Sequence, residues 1–306
     1  MQDQLTIEFR TRNSTRDRID VKYIDNIPPP VLVLLAIVAI QLGAGLAINL
    51  FPVLGPEGTV AIRILFSAIL LALAVPENIS GLLHIFFKNW RILSAFGLCI
   101  ATMNLFFYQA IDRIPLGAAV AFEFVGPLAI AALTSRKPAH FAWIALAALG
   151  IILLSPFSGS NLDPIGVLFA LLAGLGWAMF IVLSSRVSDR VTGNAGLAIG
   201  MSISALAMLP FAIPTVPTLF AEPVYLLLGF GVALLSTTIP FTLEYQALRR
   251  IPKRIYGVLV SVEPAVAAIV GALLLGERIG VQGMIAVFFI VVAAAGITLT
   301  GTQKST

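Results

Sequence analysis

Cysteine and histidine are almost missing from this chain, with one Cys and two His in 306 residues. Cys99 has no partner for an intrachain disulfide and lies inside an apolar segment, so redox chemistry has little support. His84 and His140 stand near the ends of apolar runs and read as interfacial rather than catalytic. No Cys or His pair has metal-ligand spacing, and no GxxxxGK loop, HExxH helix or GxGxxG turn after a strand occurs. We therefore expect no metal, no cofactor, no ATP hydrolysis and no enzyme. Charge is scarce too, at 11% of residues against about a quarter in soluble domains.

Apolar residues fill the space, at 59% with a mean hydropathy of +1.00. Windows of about 20 apolar residues suit a bilayer-crossing helix. Ten are found, at 31–51, 58–76, 91–111, 116–134, 139–157, 164–185, 195–214, 223–247, 254–275 and 281–301. The expected fold is an all-α membrane protein. Residues 1–27 carry many charges and no apolar run, so they read as neither signal peptide nor span; closed by Pro28-Pro29-Pro30, residues 1–30 form an expected cytoplasmic tail.

With that tail inside, sixteen Lys and Arg fall on inner segments and only Arg113 and Arg278 on outer loops. Short loops rich in Lys and Arg resist translocation, so this bias places both termini in the cytoplasm. The same residues need no nucleic acid to explain them, because topology and contact with anionic membrane lipid suffice.

The chain is also duplicated. Tyr108-Gln109-Ala110-Ile111-Asp112-Arg113-Ile114-Pro115 recurs 137 residues later as Tyr245-Gln246-Ala247-Leu248-Arg249-Arg250-Ile251-Pro252. At the same offset Ala61, Ile62 and Ser67 fall on Ala198, Ile199 and Ser204, and Pro127 falls on Pro264. The repeats are 31–157 and 164–301, each with five spans. Five is odd, so the second copy must be inverted relative to the first. Correspondingly, Asp112, Leu116 and Gly117 give way to Arg249, Lys253 and Arg254, where the equivalent loop turns inward. Two inverted halves enclosing a site near the bilayer midplane are a transporter architecture.

The paired repeats resemble the EamA-type domains of the drug/metabolite transporter superfamily. Ile114-Pro115-Leu116-Gly117-Ala118-Ala119-Val120-Ala121-Phe122-Glu123-Phe124-Val125-Gly126-Pro127-Leu128 is similar to the fourth helix of bacterial threonine/homoserine exporters. So are Leu235-Ser236-Thr237-Thr238-Ile239-Pro240-Phe241-Thr242-Leu243-Glu244, Ser261-Val262-Glu263-Pro264-Ala265 and Leu275-Gly276-Glu277. Ile48 departs from the family, whose members often carry a lysine there. The resemblance implies a multi-pass protein of the bacterial inner membrane that exports small amino acids by proton antiport. An exporter of another metabolite or drug is the alternative within the class, and a lipid flippase or a non-transporting sensor lies outside it. Homodimerisation is left open.

An ionisable side chain at the centre of a span costs roughly 2.5–3.5 kcal/mol on insertion scales, so each needs a partner, water or a neutral state. Glu123 in the fourth span and Glu263 in the ninth are the central acids, one helical turn apart in the repeat alignment. Either could hold a proton or a substrate ammonium in turn; a permanently protonated hydrogen-bonding role or pairing with Arg63 is the alternative. Arg63 could bind a substrate carboxylate through two parallel hydrogen bonds, or pair or snorkel instead. Gln41 and Asn104 are the neutral cavity candidates, while Tyr108 and Gln109, retained in both halves, read as helix-end packing elements. Trp177 either lines the cavity or fills space beside Gly174 and Gly176. Glu244 reads as a surface ion pair or gate. Pro127 and Pro264 cannot donate to the carbonyls of Glu123 and Val260, so both spans should kink beside an acid.

The orientation is open to a direct test. In a chain carrying Cys99→Ser, Asp163→Cys is expected to react with an impermeant maleimide from outside intact cells, and Asp189→Cys only after permeabilisation; the reverse pattern overturns the assignment.

Overall fold

The computed structural model describes residues 27–127, 129, 139–154, 162–191, 194–240, 243, 247, 259–278 and 280–300. In the first half these form α1 (Pro29–Ile48), α2 (Phe51–Ala74), α3 (Ile79–Ile111), α4 (Leu116–Glu123) and α5 (Ala139–Leu154). The second half holds α6 (Pro164–Ser188) and α7 (Ala195–Ala212), which runs through a 3-10 turn (Ile213–Thr215) into α8 (Val216–Ala221). It continues with α9 (Val224–Ala233), a π-helical turn (Leu234–Thr238), α10 (Glu263–Leu274) and α11 (Val281–Thr300). Five described segments are long and apolar enough to cross a membrane, and five shorter apolar helices lie at other expected spans.

Helix ends follow local chemistry. α1 opens on Pro29 and Pro30, whose missing N–H groups cost nothing in a first turn. Asn78 caps α3 by accepting from the Gly81 N–H at 2.8 Å, and Asp163 caps α6 by accepting from the Ile165 N–H at 3.0 Å.

Two helices start earlier than hydropathy indicates. α2 begins at Phe51 rather than 58, passing through a kink at Gly55 with φ 68° that favours glycine there. Pro56 follows, and the Thr59 hydroxyl donates to the Gly55 carbonyl at 2.7 Å, so the break leaves that oxygen satisfied. α3 begins at Ile79 rather than 91 and bends at Asn89, whose φ is −126° and whose side-chain amide donates to the Ile85 carbonyl at 3.2 Å. Lys88 and Arg91 depress the hydropathy of that stretch without stopping a helix.

Equivalent helices of the two halves pack on each other: α2 on α7, α4 on α10 and α5 on α11. This pairing suits inverted copies related by a pseudo-twofold axis. Loops assigned to the outer side also meet one another. Arg113 pairs with Asp163 at 3.5 Å, Gln109 donates to Glu57, and Gln282 donates to the Leu153 carbonyl at 2.8 Å.

At the same end Glu277 ties the halves together. Its carboxylate accepts from the Leu116 N–H at 2.9 and 3.1 Å, capping α4 from a loop 161 residues away. Burial pushes the Glu277 carboxyl above the usual carboxylate range, and the Leu116 N–H draws it partly back. An acid raised in the folded state gives stability that is full at low pH and is lost as pH rises from its unfolded value through the folded one. Melting in detergent should therefore show Glu277→Gln, which keeps an acceptor, gaining on wild type as pH rises through that window. Glu277→Ala should lose about 1 kcal/mol, as for a removed cap.

Candidate functional site

Arg63 anchors the site. It lies on the buried face of α2, only 7% exposed, and its guanidinium meets three neighbours. One nitrogen donates to Asn104 Oδ1, another reaches Thr237 Oγ1 at 3.5 Å, and the Tyr108 ring lies beneath it with its centroid 5.0 Å from Cζ. Asn104 is held in turn by donating to the Ile100 carbonyl at 2.7 Å, and Arg63's own carbonyl accepts from Ser67 at 2.8 Å. Arg63 makes no ion pair with the described carboxylates. Its Nε is buried with no hydrogen-bond partner among the described residues.

The acids occupy the two helix breaks. α4 ends at Glu123 and turns at Phe124, one turn before Pro127, where the missing N–H was expected to release the Glu123 carbonyl. That carbonyl lies against Gly174 of α6, where an added Cβ would come within 2.6 Å of its oxygen. The ninth span differs in detail from the expected proline kink. It breaks at Ser261–Val262, and Pro264 sits in the first turn of α10, where it costs no hydrogen bond. Glu263 heads α10 and is 8% exposed; its Oε1 accepts from Gln41 Nε2 of α1 at 3.0 Å. Glu123 thus lies at a one-residue break after which the helix resumes at Val125–Pro127, and Glu263 lies at the positive end of α10.

Gln41, Arg63, Asn104, Glu123, Trp177 and Glu263, all singled out in the sequence, line one cavity of about 210 Å³. That space far exceeds the roughly 10–15 Å³ that admits a single water. Trp177 both lines it and packs edge-on against Phe124, with ring centroids 5.4 Å apart. Pro127 and Pro264 are not among the described residues that line it.

Sequence reasoning misplaced Tyr108. It read as a helix-end packing residue, yet it lines the cavity beneath Arg63 and is 1% exposed. Ser236 and Thr237 of the π-helical turn also line the cavity and had served only to carry a resemblance. All three are polar residues inside an apolar span, the signal that had identified Gln41 and Asn104. Gln109 does behave as a helix-end element, tied to Glu57. Glu244, Tyr245 and Gln246 lie outside the described residues.

Comparison with known proteins agrees with this architecture. A model of the EamA-like transporter family matches residues 164–299. The threonine/homoserine exporter RhtA of Escherichia coli (strain K12) is 38% identical over 288 residues, covering 90% of this chain and 93% of that protein. Its counterpart in Salmonella typhimurium (strain LT2) is 39% identical over 284 residues, covering 89% and 92%. One solved crystal structure shares the fold, with a TM-score of 0.59 at 18% identity over 89% of this chain and 99% of its own. A multi-pass membrane protein with these relatives over nine-tenths of its length belongs to the EamA-like transporter family.

Proposed function

We propose that this chain exports small zwitterionic amino acids of the threonine or homoserine kind from the bacterial cytoplasm in exchange for protons. The carrying observation is that one cavity is bordered by Arg63 and by both Glu123 and Glu263, opposite charges suited to the two ends of a zwitterion. Arg63 receives the α-carboxylate through charge-assisted hydrogen bonds. The ammonium is received on the acidic side.

Of the two acids, Glu123 is our choice for the proton carrier. Glu263 already has Gln41 donating to it and the positive end of α10 behind it, both of which favour its ionised form. Proton and ammonium then compete for one carboxylate, and exchange becomes obligatory. The relatives named as threonine/homoserine exporters support the substrate class. Both termini lie in the cytoplasm in this reading, as the Lys and Arg bias suggests.

Efflux of threonine and homoserine from preloaded proteoliposomes, with and without an imposed pH gradient, tests it. Wild type is expected to respond to the gradient and Glu123→Gln to lose the response; a variant that keeps full gradient-driven efflux removes Glu123 from coupling. Arg63→Lys should weaken substrate affinity roughly tenfold to a hundredfold, since lysine cannot reproduce a planar two-point contact. Wild-type protein that moves neither amino acid sinks the substrate class.

A further inference from the structure

We propose that residues 79–89, the first part of α3, form an arm that lies along the cytoplasmic leaflet and binds anionic phospholipid there. This is independent of which solute the cavity holds, and the choice of leaflet follows from the inward placement of the N-terminus.

α3 is too long for a bilayer. At about 1.5 Å per residue its 33 residues run roughly 50 Å, against a hydrocarbon core of about 30 Å. Gln109, Asp112 and Arg113 mark its outer end, so the inner boundary of the core falls about 20 residues back, near Arg91. Residues 79–89 lie beyond that boundary. The bend at Asn89 stands at the junction, where a helix leaving the core can turn along the membrane surface.

The arm presents three faces in turn. Leu82, Ile85 and Phe86 pack on the main core of the protein. Next round the helix come Ile79, Leu83, Phe87 and Trp90, at spacings of four, four and three, which are 78%, 50%, 68% and 53% exposed. Beside that stripe, at the same spacings, Ser80, His84, Lys88 and Arg91 are exposed as well. An apolar face bordered by basic side chains is the pattern of a helix that lies in the interface, its apolar side below the headgroups and its cations at phosphate depth.

Charge complementarity selects the lipid. Neither Lys88 nor Arg91 has a described carboxylate within ion-pairing distance. Arg91 instead lies over the Trp90 ring, with Cζ 5.5 Å from its centroid, which joins the cationic strip to the aromatic end of the apolar one. Anionic headgroups attract Lys and Arg next to a span by roughly fivefold in binding per residue. The arm continues into the helix that brings Asn104 and Tyr108 to the cavity, so lipid bound here holds the inner end of one cavity wall.

Fluorescence quenching in phosphatidylcholine vesicles containing phosphatidylglycerol tests this, with the label on single cysteines in a chain carrying Cys99→Ser. At Leu83→Cys the label is expected to be quenched by nitroxides on lipid acyl chains and spared by aqueous iodide, and at His84→Cys the order is reversed. Nitroxide-bearing phosphatidylglycerol should quench the Leu83→Cys label at least about fivefold more effectively than phosphatidylcholine at equal mole fraction, and Lys88→Gln with Arg91→Gln should bring the two together. All four substituted positions in the arm are exposed, so the packed core is left intact. Iodide quenching at Leu83→Cys equal to that at His84→Cys puts the arm in water and overturns the proposal. Equal quenching by the two lipids while Lys88 and Arg91 are present overturns the anionic site. A Leu83→Cys label that neither quencher reaches means that a second copy of the chain covers the stripe, which overturns it as well.

Discussion

A charge inside a bilayer must be met by another charge, by water or by a proton, and this constraint organises the interior of the protein. Arg63 is nearly completely buried, yet it has no carboxylate within ion-pairing distance among the described residues. It is surrounded by an amide, a hydroxyl and an aromatic face, which tolerate a cation without cancelling it. A direct salt bridge would have made a stable but inert core, since breaking one to admit a solute is expensive. Neutral partners leave the guanidinium's field available in the cavity.

Helix breaks do for the backbone what Arg63's shell does for the side chains. The helix breaks after Glu123 and before Glu263 lie inside the protein, where backbone groups that lipid could not accept meet other helices instead. The Glu123 carbonyl is covered by Gly174, a crossing too tight for any side chain at that position. Glu277 serves the opposite end of α4 from a distant loop, so the short helix carrying Glu123 is held at both ends by the second half of the chain.

Much of this was legible in the sequence because lipid makes composition speak loudly. An apolar run of the right length has few alternatives to a helix, and a Gln, Asn, Glu or Arg within one has few reasons to be there. Gln41, Arg63, Asn104, Glu123 and Glu263 stood out for that reason. Tyr108 did not, because a tyrosine near a span end is ordinary and its repetition in both halves pointed to packing. Ser236 and Thr237 hid because hydroxyls can satisfy themselves on their own helix, and only the π-helical turn separates them from that habit. The early starts of α2 and α3 were illegible for a related reason. Gly55 and Pro56 read as a loop until the Thr59 hydroxyl is seen bridging the kink, and Lys88 and Arg91 mask a helix that continues through them.

The frame is duplicated, but its lining is not. By the repeat offset Ser236 and Thr237 answer to Cys99 and Ile100, so a pair of hydroxyls corresponds to a thiol and a hydrocarbon, and of those two only Ile100 is among the described residues that line the cavity. Cys99 is occupied in any case, donating to the Gly176 carbonyl at 3.3 Å. A perfectly symmetrical cavity would offer a solute two equivalent seats, related by the twofold axis. Here Ile100 and Thr237, equivalent by the repeat, both line one cavity, so the two halves present it with different chemistry.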